Sequence, residues 1–453
     1  MLTQKLRLKS PLRRNFCRTE GVECHSAPNA SFMRRLYSLL FYLFTPLVVL
    51  RLGWRSLKNP AYGARWLERF GFYRQPHLQQ VIWFHAVSVG ESEALFPLIS
   101  FIQSQHPTLA LLITTTTPTG SARVRAVLGD SVDHVYLPYD LPDAIARFLR
   151  TFSPKMAVIV ETEIWPNLYL ACAAQHIPLY LINACLSEKS VRGYQKMPSL
   201  MQPTLAAVTK IATQTDLDKA NFIKIGANAN QVDNVGSLKF DVFIDNAVLS
   251  QGKALRAQWM ADRFVFLAAS THEGEEALVF RCYHALKQHI PTLLLAIAPR
   301  HPERFQRVAA LAKQAHCTVV TRTSHQACRA QTDVFLIDTL GELKLFYASA
   351  DVAFVGGSFV PVGGHNLLEP AAVGVPILVG SQVDNISFTV EKLLAAQGAL
   401  QCHDSEMLQA NLIELYHHPQ KRAQLIANAK QVVAQNQGAT QRIYHLLNLD
   451  SLT

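Results

Sequence analysis

Glycines surround a histidine, an asparagine and a glutamate in the segment 356–380, which reads GGSFVPVGGHNLLEPAAVGVPILVG. The apolar run before it predicts a buried strand, residues 366–373 predict a short helix that Gly374 ends, and another strand follows. Glycines let a backbone approach a ligand closely, and the N-terminus of a helix attracts an anion. The pattern predicts a loop that holds a phosphorylated ligand, with the Glu369 carboxylate suited to a ribose diol. A tight turn in any parallel α/β protein would look similar.

In the first half of the chain, charged side chains follow predicted strands at their carboxyl ends. Glu91 lies in HAVSVGES, after the first apolar run, and Glu161 and Glu163 lie in VETEIWPN, after the run MAVIV. Lys239 lies in GSLKFD, after the last predicted strand of this half, where it could reach a phosphate across a cleft. The carboxylates would equally suit the first turns of helices, which favour negative charge. HAVSVGES lacks the G-x-G-x-x-G fingerprint, which weighs against an NAD-dependent oxidoreductase.

Charged side chains also end predicted strands in the second half of the chain. Arg300 and His301 in APRHPERF suit an anion or a base edge, ASTHEGEE brings several carboxylates, and DTLGEL joins a glycine to a carboxylate. None of these motifs is specific by itself. Because ligands of doubly wound sheets bind at the carboxyl ends of the strands, their shared placement there indicates a single site.

The sequence predicts no metal site. Asp216 and Asp218 form a D-x-D pair, which can hold a divalent ion between phosphates, but they open a polar helix, where a capping role fits better. The seventeen histidines show no H-x-x-x-H or H-E-x-x-H arrangement, and the eight cysteines show no C-x-x-C spacing. The cysteines therefore indicate free thiols in a reducing compartment rather than a zinc site or a disulfide framework.

Two series of short apolar runs alternate with helical segments, which predicts two parallel sheets with helices on both faces. The first series lies at 81–86, 109–115, 156–160, 178–183, 211–213 and 232–236. The second lies at 264–269, 292–298, 317–321, 334–337, 351–355 and 375–379, and two amphipathic helices close the chain. We therefore expect an α/β protein of two doubly wound, Rossmann-like domains that face each other across a cleft, joined by a linker at 241–263.

Positive charge is concentrated at the N-terminal end of the chain. The net charge is +10, yet the first 80 residues alone carry 14 Lys/Arg against 3 Asp/Glu, so the remainder is close to neutral. A general nucleic-acid surface would need basic residues over the body of the protein. The distribution instead predicts an anionic membrane surface or an anionic substrate near this end, and no nucleic acid.

The N-terminal end also carries an uncharged apolar run, LYSLLFYLFTPLVVL, at 36–50, between arginines on both sides. Fifteen residues are short for a full membrane span, and no small-residue cleavage site of a signal peptide follows. We expect residues 33–55 to form a membrane anchor that lies at or in the cytoplasmic leaflet, after a basic and poorly ordered extension at 1–32. The alternative is a buried core helix.

The motifs HAVSVGE, VETEIWPNL, NACLSEKS, GSLKFD, APRHPERF, DTLGEL and GGSFVPVGGHNLLEP occur in this order along the chain. Together they resemble the 3-deoxy-D-manno-octulosonic acid (Kdo) transferases, which are membrane-associated enzymes of the glycosyltransferase-B fold. The resemblance runs from about residue 41 to the C-terminus. It implies an N-terminal acceptor-binding domain at 56–240 and a C-terminal domain at 264–453 that binds the donor CMP-Kdo.

The resemblance also implies a reaction. Kdo is moved from CMP-Kdo to a lipid A precursor, lipid IVA, in lipopolysaccharide core biosynthesis, at the cytoplasmic face of the inner membrane. The transfer inverts the anomeric centre and needs no metal or other cofactor. By motif, Glu91 would be the base, and Glu161 and Lys239 would stabilise the transition state. The residues that would bind CMP are Pro299, Arg300, Leu340, Gly341, Glu342, Asn366, Leu367, Leu368 and Glu369.

Other functions share this architecture. A lipid A disaccharide synthase or a sugar-nucleotide epimerase would have the same fold and a UDP-sugar in place of CMP-Kdo. A membrane-bound nucleotide sensor without catalytic activity is the alternative from a different class of protein.

Overall fold

A computed structural model describes residues 27–74, 78–259 and 262–452 of the chain. They contain two seven-stranded sheets in which all neighbouring strands are parallel. The first sheet has the order β3-β2-β1-β4-β5-β6-β7. Its strands are β1 (Ile82–His85), β2 (Leu111–Thr115), β3 (Asp133–Tyr136), β4 (Met156–Val160), β5 (Leu179–Ala184), β6 (Lys210–Thr213) and β7 (Val232–Asn234).

The second sheet has the order β10-β11-β9-β8-β12-β13-β14. Its strands are β8 (Phe264–Thr271), β9 (Leu293–Pro299), β10 (Val319–Thr321), β11 (Val334–Leu336), β12 (Val352–Val355), β13 (Ile377–Val379) and β14 (Ala399–Gln401). Each predicted apolar run overlaps a strand of its sheet. Strands β3 and β14 were not predicted, because they are edge strands that include polar residues and show no continuous apolar run.

Helices cover both faces of each sheet. Those of the N-terminal domain are α1 (Ala27–Lys58), α2 (Val89–Gln105), α3 (Pro118–Leu128), α4 (Pro142–Phe152), α5 (Pro166–Ala174), α6 (Glu188–Tyr194), α7 (Pro198–Ala206) and α8 (Asp216–Lys224). Those that follow are α9 (Asn246–Trp259), α10 (Glu275–Lys287), α11 (Phe305–Gln314), α12 (Leu343–Ser349), α13 (Leu368–Val373), α14 (Ser387–Ala395), α15 (Ser405–His417), α16 (Pro419–Asn436) and α17 (Ala439–Leu447).

Strand β1 shows why the central strands read as continuous apolar runs. Trp83 packs with Phe148 of α4 on one face of the sheet, while Phe84 packs with Leu95 of α2 on the other, and all four side chains are fully buried. A parallel strand that is covered on both faces needs apolar residues at every position rather than at alternate ones.

The end of the chain returns to the N-terminal domain. Ile443 and Leu447 of α17 are buried in the same core cluster as Phe84, so residues 439–449 pack on the N-terminal sheet although the sequence analysis placed them with the C-terminal domain. The Asp241 carboxylate accepts the backbone N–H groups of Gly438 (2.6 Å) and Thr440 (2.5 Å), which ties the two points where the chain crosses between the domains.

Helix α1 is long and largely uncovered. It is the one helix of the described residues that is long and apolar enough to cross a membrane. Leu39, Leu43, Leu47 and Leu50 are each at least 59% exposed, so the run is not a core helix of the chain. Of the expected extension, residues 1–26 lie outside the described part, and 27–32 form the first turns of α1 rather than a poorly ordered stretch.

Candidate active site

Glu91 lies in the first turn of α2, where the chain leaves the carboxyl end of β1. Ser88 caps the helix, and its hydroxyl donates to the Glu91 carboxylate at 2.8 Å, while the Val87 N–H donates to the other carboxylate oxygen at 2.7 Å. Burial raises the pKa of the Glu91 carboxyl from 4.5 to about 7; these two hydrogen bonds oppose the rise, and the charges of Glu161 and Glu163 add to it. Glu91 is therefore a carboxyl group that titrates near neutral pH.

Glu161 and Lys239, which the sequence analysis placed at two different strand ends, form an ion pair. The Lys239 Nζ lies 2.8 Å from the Glu161 Oε1. Burial lowers the pKa of Lys239, but the adjacent Glu161 carboxylate outweighs it, so the net pKa is raised and the ammonium stays charged. Glu161 has a backbone φ of +61°, a conformation that costs a residue with a side chain about 1–3 kcal/mol and is concentrated at functional sites.

Asn183 holds the turn that presents Lys239. Its Oδ1 accepts the Leu238 N–H at 3.0 Å and the Ser237 hydroxyl at 3.2 Å, and the Asn183 side chain is fully buried at the end of β5. The chain after β7 is thereby turned back towards β4. The motif NACLSEKS contains this asparagine, but the sequence alone did not connect it with Lys239, because the contact spans 55 residues.

Glu163 belongs to the same cluster, although the sequence analysis gave it no role. The Trp165 indole N–H donates to the Glu163 carboxylate at 2.6 Å, and burial together with the charge of Glu161 raises the pKa of Glu163. The structure thus brings Glu91, Glu161, Glu163 and Lys239 together at the carboxyl ends of β1 and β4. The sequence places both carboxylates of VETEIWPN in one loop, but their spacing does not show which of the two has a role in the site.

The glycine-rich loop after β12 is bound by the protein's own carboxylate. Glu275 is fully buried and accepts the N–H groups of Gly357 (2.7 Å), Ser358 (3.0 Å) and Phe359 (3.0 Å). A Cβ at Gly356 would lie 2.8 Å from the Glu275 carboxylate, which accounts for a glycine there. The expectation that this loop holds a phosphate is therefore wrong for residues 357–359, because their amides already have an anionic partner.

Helix α13 begins at Leu368, after the Asn366 side chain accepts the Leu368 N–H at 2.9 Å. Glu369 lies in its first turn, 3.9 Å from the Lys344 ammonium, and burial raises the pKa of Glu369. The charges of Glu93 on α2 and Arg123 on α3 also reach Glu369. This carboxylate therefore lies where the two domains face each other across the cleft.

Three histidines and an arginine lie beside the glycine-rich loop that follows β12. The Nε2 atoms of His272 and His365 lie 2.7 Å apart, and their rings stack at 5.0 Å, with His301 against the His272 ring at 5.2 Å. Burial, then the charges of His272 and Arg300, lower the pKa of His365 to about 4, so this imidazole is neutral at pH 7. Arg300 is exposed at the end of β9, after the buried Pro299. The cluster could not be predicted from a local sequence pattern, because its members come from three separate strand ends.

The segment 340–342 lies at the start of α12. Leu340 is 65% exposed, and Gly341 has a positive φ of +84°. The Glu342 carboxylate is paired with the Arg322 guanidinium at 2.7 and 3.1 Å and accepts the Thr339 hydroxyl at 2.5 Å. The hydrogen bonds from Arg322 hold the pKa of Glu342 below its usual range. The side chain of Glu342 is therefore committed within the protein, and Leu340 is the exposed side chain of this segment.

The D-x-D pair has a structural role. Thr215 caps α8, and Asp218 accepts its hydroxyl at 2.5 Å and the Leu186 N–H at 2.8 Å, while Asp216 accepts the side-chain amide of Asn234. Within the described ranges, no group of three or more His, Cys, Asp or Glu side chains could hold a metal ion.

The chain has relatives among known proteins. Residues 64–242 match the family model described as 3-deoxy-D-manno-octulosonic-acid transferase (kdotransferase). The chain is 37% identical to the 3-deoxy-D-manno-octulosonic acid transferase of Haemophilus influenzae, over 91% of this chain and 98% of that one. It is 35% identical to the enzyme of that name from Bordetella pertussis, over 90% of this chain and 97% of the relative.

A solved structure shares the fold at low identity. The UDP-GlcNAc 2-epimerase from Neisseria meningitidis superposes with a TM-score of 0.55 at 15% identity, over 81% of this chain and 99% of that one. The two-domain glycosyltransferase-B architecture is thus confirmed, but at this identity the likeness carries no function. The disaccharide synthase, the epimerase and the non-catalytic sensor are set aside by the sequence relatives. The chain belongs to the Kdo transferase family, and it is a glycosyltransferase that transfers Kdo in lipopolysaccharide core biosynthesis.

Proposed function

We propose that the enzyme moves Kdo from CMP-Kdo to a lipid A precursor, lipid IVA, with Glu91 as the general base. The observation that carries the proposal is the Glu91 carboxyl itself, which is nearly buried at the mouth of the N-terminal sheet and has a pKa of about 7. A general base works best when its pKa lies near the operating pH. Its position in the N-terminal domain, on the same helix as Glu93, whose charge reaches Glu369 across the cleft, suits an acceptor that enters from that side.

The donor is proposed to bind in the C-terminal domain through its nucleotide. Glu369 would accept hydrogen bonds from the ribose hydroxyls, and the exposed Arg300 guanidinium would meet the phosphate. Leu340 offers an apolar surface for the base, next to the turn at Gly341. The remaining CMP contacts are proposed from Pro299, Glu342, Asn366, Leu367 and Leu368. Because Pro299, Leu367 and Leu368 are buried and the Glu342 carboxylate is paired with Arg322, these four would contact CMP through their backbone groups. The amides of 357–359 take no part, because Glu275 occupies them.

The reaction follows from this placement. The acceptor hydroxyl oxygen attacks the anomeric carbon of Kdo from the face opposite CMP, and its proton passes to the Glu91 carboxylate. The bond between the anomeric carbon and the phosphate oxygen breaks, and CMP leaves with the electron pair. The ion pair of Glu161 and Lys239 would stabilise the charges of the transition state, since preorganised groups in a cleft act strongly there.

We propose that the reaction uses no metal or other cofactor. Cationic side chains such as Lys239 and Arg300 would offset the charge on the departing phosphate. Activity in EDTA should equal activity in buffer alone. Loss of activity in EDTA that magnesium restores would contradict this part of the proposal.

The membrane is proposed to hold the enzyme through α1, at the cytoplasmic face of the inner membrane, where an anionic lipid surface would meet its basic end. The exposed leucines of α1 and the arginines at its ends support this placement. Deleting residues 1–55 should release a soluble protein that still binds CMP, because α1 contributes nothing to the C-terminal core clusters. A truncated protein that stays in the membrane pellet would assign attachment to another surface.

The test of the reaction is mass spectrometry of the product that the purified enzyme makes from CMP-Kdo and lipid IVA. The expected product is lipid IVA with added Kdo, together with free CMP. UDP-sugars serve as the donor control. Transfer from a UDP-sugar, with CMP-Kdo left intact, would overturn the proposed donor.

A further inference from the structure

Helix α1 does more than present apolar residues to a membrane, because one face of it is hydrogen-bonded to the N-terminal domain. Arg34 Nε and Ser38 Oγ both donate to the Asn167 side-chain oxygen, at 3.2 and 3.1 Å, and the Tyr37 hydroxyl donates to the Asp140 carboxylate at 3.0 Å. Residues three and four apart lie on the same face of a helix. A helix that served only as a tether would need apolar area and no such contacts.

The two partners of α1 are buried in the domain. Asp140 is fully buried and Asn167 is 1% exposed. Asp140 also accepts the N–H groups of Asn167 (3.0 Å) and Leu168 (2.8 Å) at the start of α5, and the Asn167 amide donates to the Asp140 carbonyl at 2.8 Å. A buried carboxylate of this kind is costly unless donors surround it. The Tyr37 hydroxyl is therefore one of three donors that keep Asp140 in place.

Asn167 lies in the first turn of α5, directly after the residues that carry the carboxylates of the active site. The loop 161–167 runs from the end of β4 into the first turn of α5, which begins at Pro166. It holds Glu161, which pairs with Lys239, and Glu163. At the β4 end, the Glu161 N–H is held by the Ile182 carbonyl at 2.9 Å. The other end is held by the contacts of Asp140 and Asn167 with each other and with α1.

We propose that α1 positions the acceptor side of the active site, by holding the loop 161–167 through the buried pair Asp140 and Asn167. Transfer then requires docking of α1 on the domain, apart from any requirement for membrane attachment. The inference rests on the proposed roles of Glu161 and Glu91, and it adds Arg34, Tyr37 and Ser38 as positioning residues. None of the three touches the reacting groups.

The test compares two variants of the full-length enzyme that remove hydroxyls from the same helix. Tyr37→Phe combined with Ser38→Ala removes hydrogen bonds to Asp140 and Asn167. Tyr42→Phe is the matched control, because its hydroxyl donates to the exposed Asp143 at 2.5 Å, outside the hydrogen bonds of Asp140 and Asn167. Both variants keep the apolar surface of α1, so the membrane-bound fraction should stay at the wild-type value.

We expect the double variant to lower kcat by about 10- to 100-fold, the range for misplaced catalytic groups, with unchanged affinity for CMP. Tyr42→Phe should keep wild-type turnover. Because Glu161 and Glu163 help to raise the pKa of Glu91, a displaced loop should also move the acid limb of the pH–rate profile to lower pH. A general loss of stability would leave that limb in place. Ser38→Thr keeps a hydroxyl at this position, so its turnover should exceed that of Ser38→Ala and approach the wild-type value.

Wild-type turnover in the double variant would overturn the proposal, and so would a loss that tracks release from the membrane. If the double variant does not fold, Ser38→Ala alone carries the comparison with Tyr42→Phe. Failure of the proposed function is seen separately: an active Glu91→Gln enzyme would remove the assigned base whatever the α1 variants do.

Discussion

Lys239 and Glu161 meet at 2.8 Å although they leave different strands of the N-terminal sheet. Glu161 directly follows β4, and Lys239 comes after β7, three strands further along the sheet. The contact exists because Asn183, at the end of β5, holds the turn before Lys239. A cation and an anion are thus preorganised at the mouth of the sheet before any substrate arrives, and they need little reorganisation during the reaction.

Lys239→Ala should lower turnover by about 10²-fold while donor affinity changes little, since one preorganised donor to a transition state carries that much. The loss of stability should stay below about 1 kcal/mol, because the lysine side chain is 46% exposed. Steady-state kinetics and CMP calorimetry measure the two effects. Lys210→Ala is the matched control, since Lys210 pairs with Asp233 at 2.8 Å in the same domain. Equal turnover in both variants would remove Lys239 from the mechanism.

Much of the fold could be predicted from the sequence, because buried parallel strands are apolar at every position and stand out in the chain. The edge strands β3 and β14 could not, since they include polar residues such as Asp133 and Gln401. The candidate site could likewise be predicted only in part. Glu91, Glu161 and Lys239 could be located because each follows an apolar run, and the structure brings them together.

Contacts between distant parts of the chain could not be read from the sequence. The glycines of 356–357 look like a phosphate loop, yet Glu275, some 80 residues earlier, is the anion that the Gly357 amide and the two amides after it bind. No local pattern distinguishes a carboxylate of the protein from a phosphate of a ligand, because both accept backbone N–H groups in the same way. The docking of α1 on Asp140 spans 103 residues and was hidden for the same reason.

Glu369→Gln should weaken CMP binding by about 10- to 100-fold, because hydrogen bonds to a charged group contribute about 1.5–3 kcal/mol each. The fold should not change, since the carboxylate lies 3.9 Å from the Lys344 ammonium and the substitution removes only this long ion pair from the free enzyme. Calorimetry with CMP is the measurement. Glu391→Gln, on an exposed position of α14, should bind CMP as the wild type does. Unchanged affinity in Glu369→Gln would show that the ribose is held elsewhere.

Glu275→Gln should destabilise the C-terminal domain by roughly 3 kcal/mol, because an amide nitrogen would then face backbone donors that now share a buried carboxylate. Glutamine keeps one acceptor oxygen, so the amides that lose their partner would be either those of Ser358 and Phe359, which share Oε1, or those of Gly357 and His272, which share Oε2. Urea unfolding measures the difference. Glu273→Gln, two residues earlier and 63% exposed, should stay within about 0.5 kcal/mol of the wild type. Similar unfolding of the two variants would contradict the structural role of Glu275.

Glu91→Gln should leave CMP binding intact and reduce transfer by about 10²–10⁴-fold, the range for a lost general base. In the wild type, transfer should increase with pH through about 7, because Glu91 has a pKa of about 7 and must be ionised to accept the proton. The pH–rate profile under saturating CMP-Kdo tests this. Glu161→Gln is the comparison, as Glu161 is the competing carboxylate. Near-normal transfer by Glu91→Gln, with transfer abolished in Glu161→Gln, would move the base to Glu161.

The same substitution should have the opposite effect on stability. Glu91 has a pKa of about 7 in the folded protein against an ordinary 4.5, so between these values the unfolded chain releases a proton that the folded protein keeps. Folding stability therefore falls as pH increases from about 4.5 through 7, by about 1.4 kcal/mol for each unit of pKa difference. Glutamine has no proton to release, so Glu91→Gln should unfold at a higher urea concentration than the wild type at pH 8, and at a similar one at pH 4. A wild-type stability that does not fall over this range relative to Glu91→Gln would contradict the raised pKa, and with it the reason for choosing Glu91 as the base.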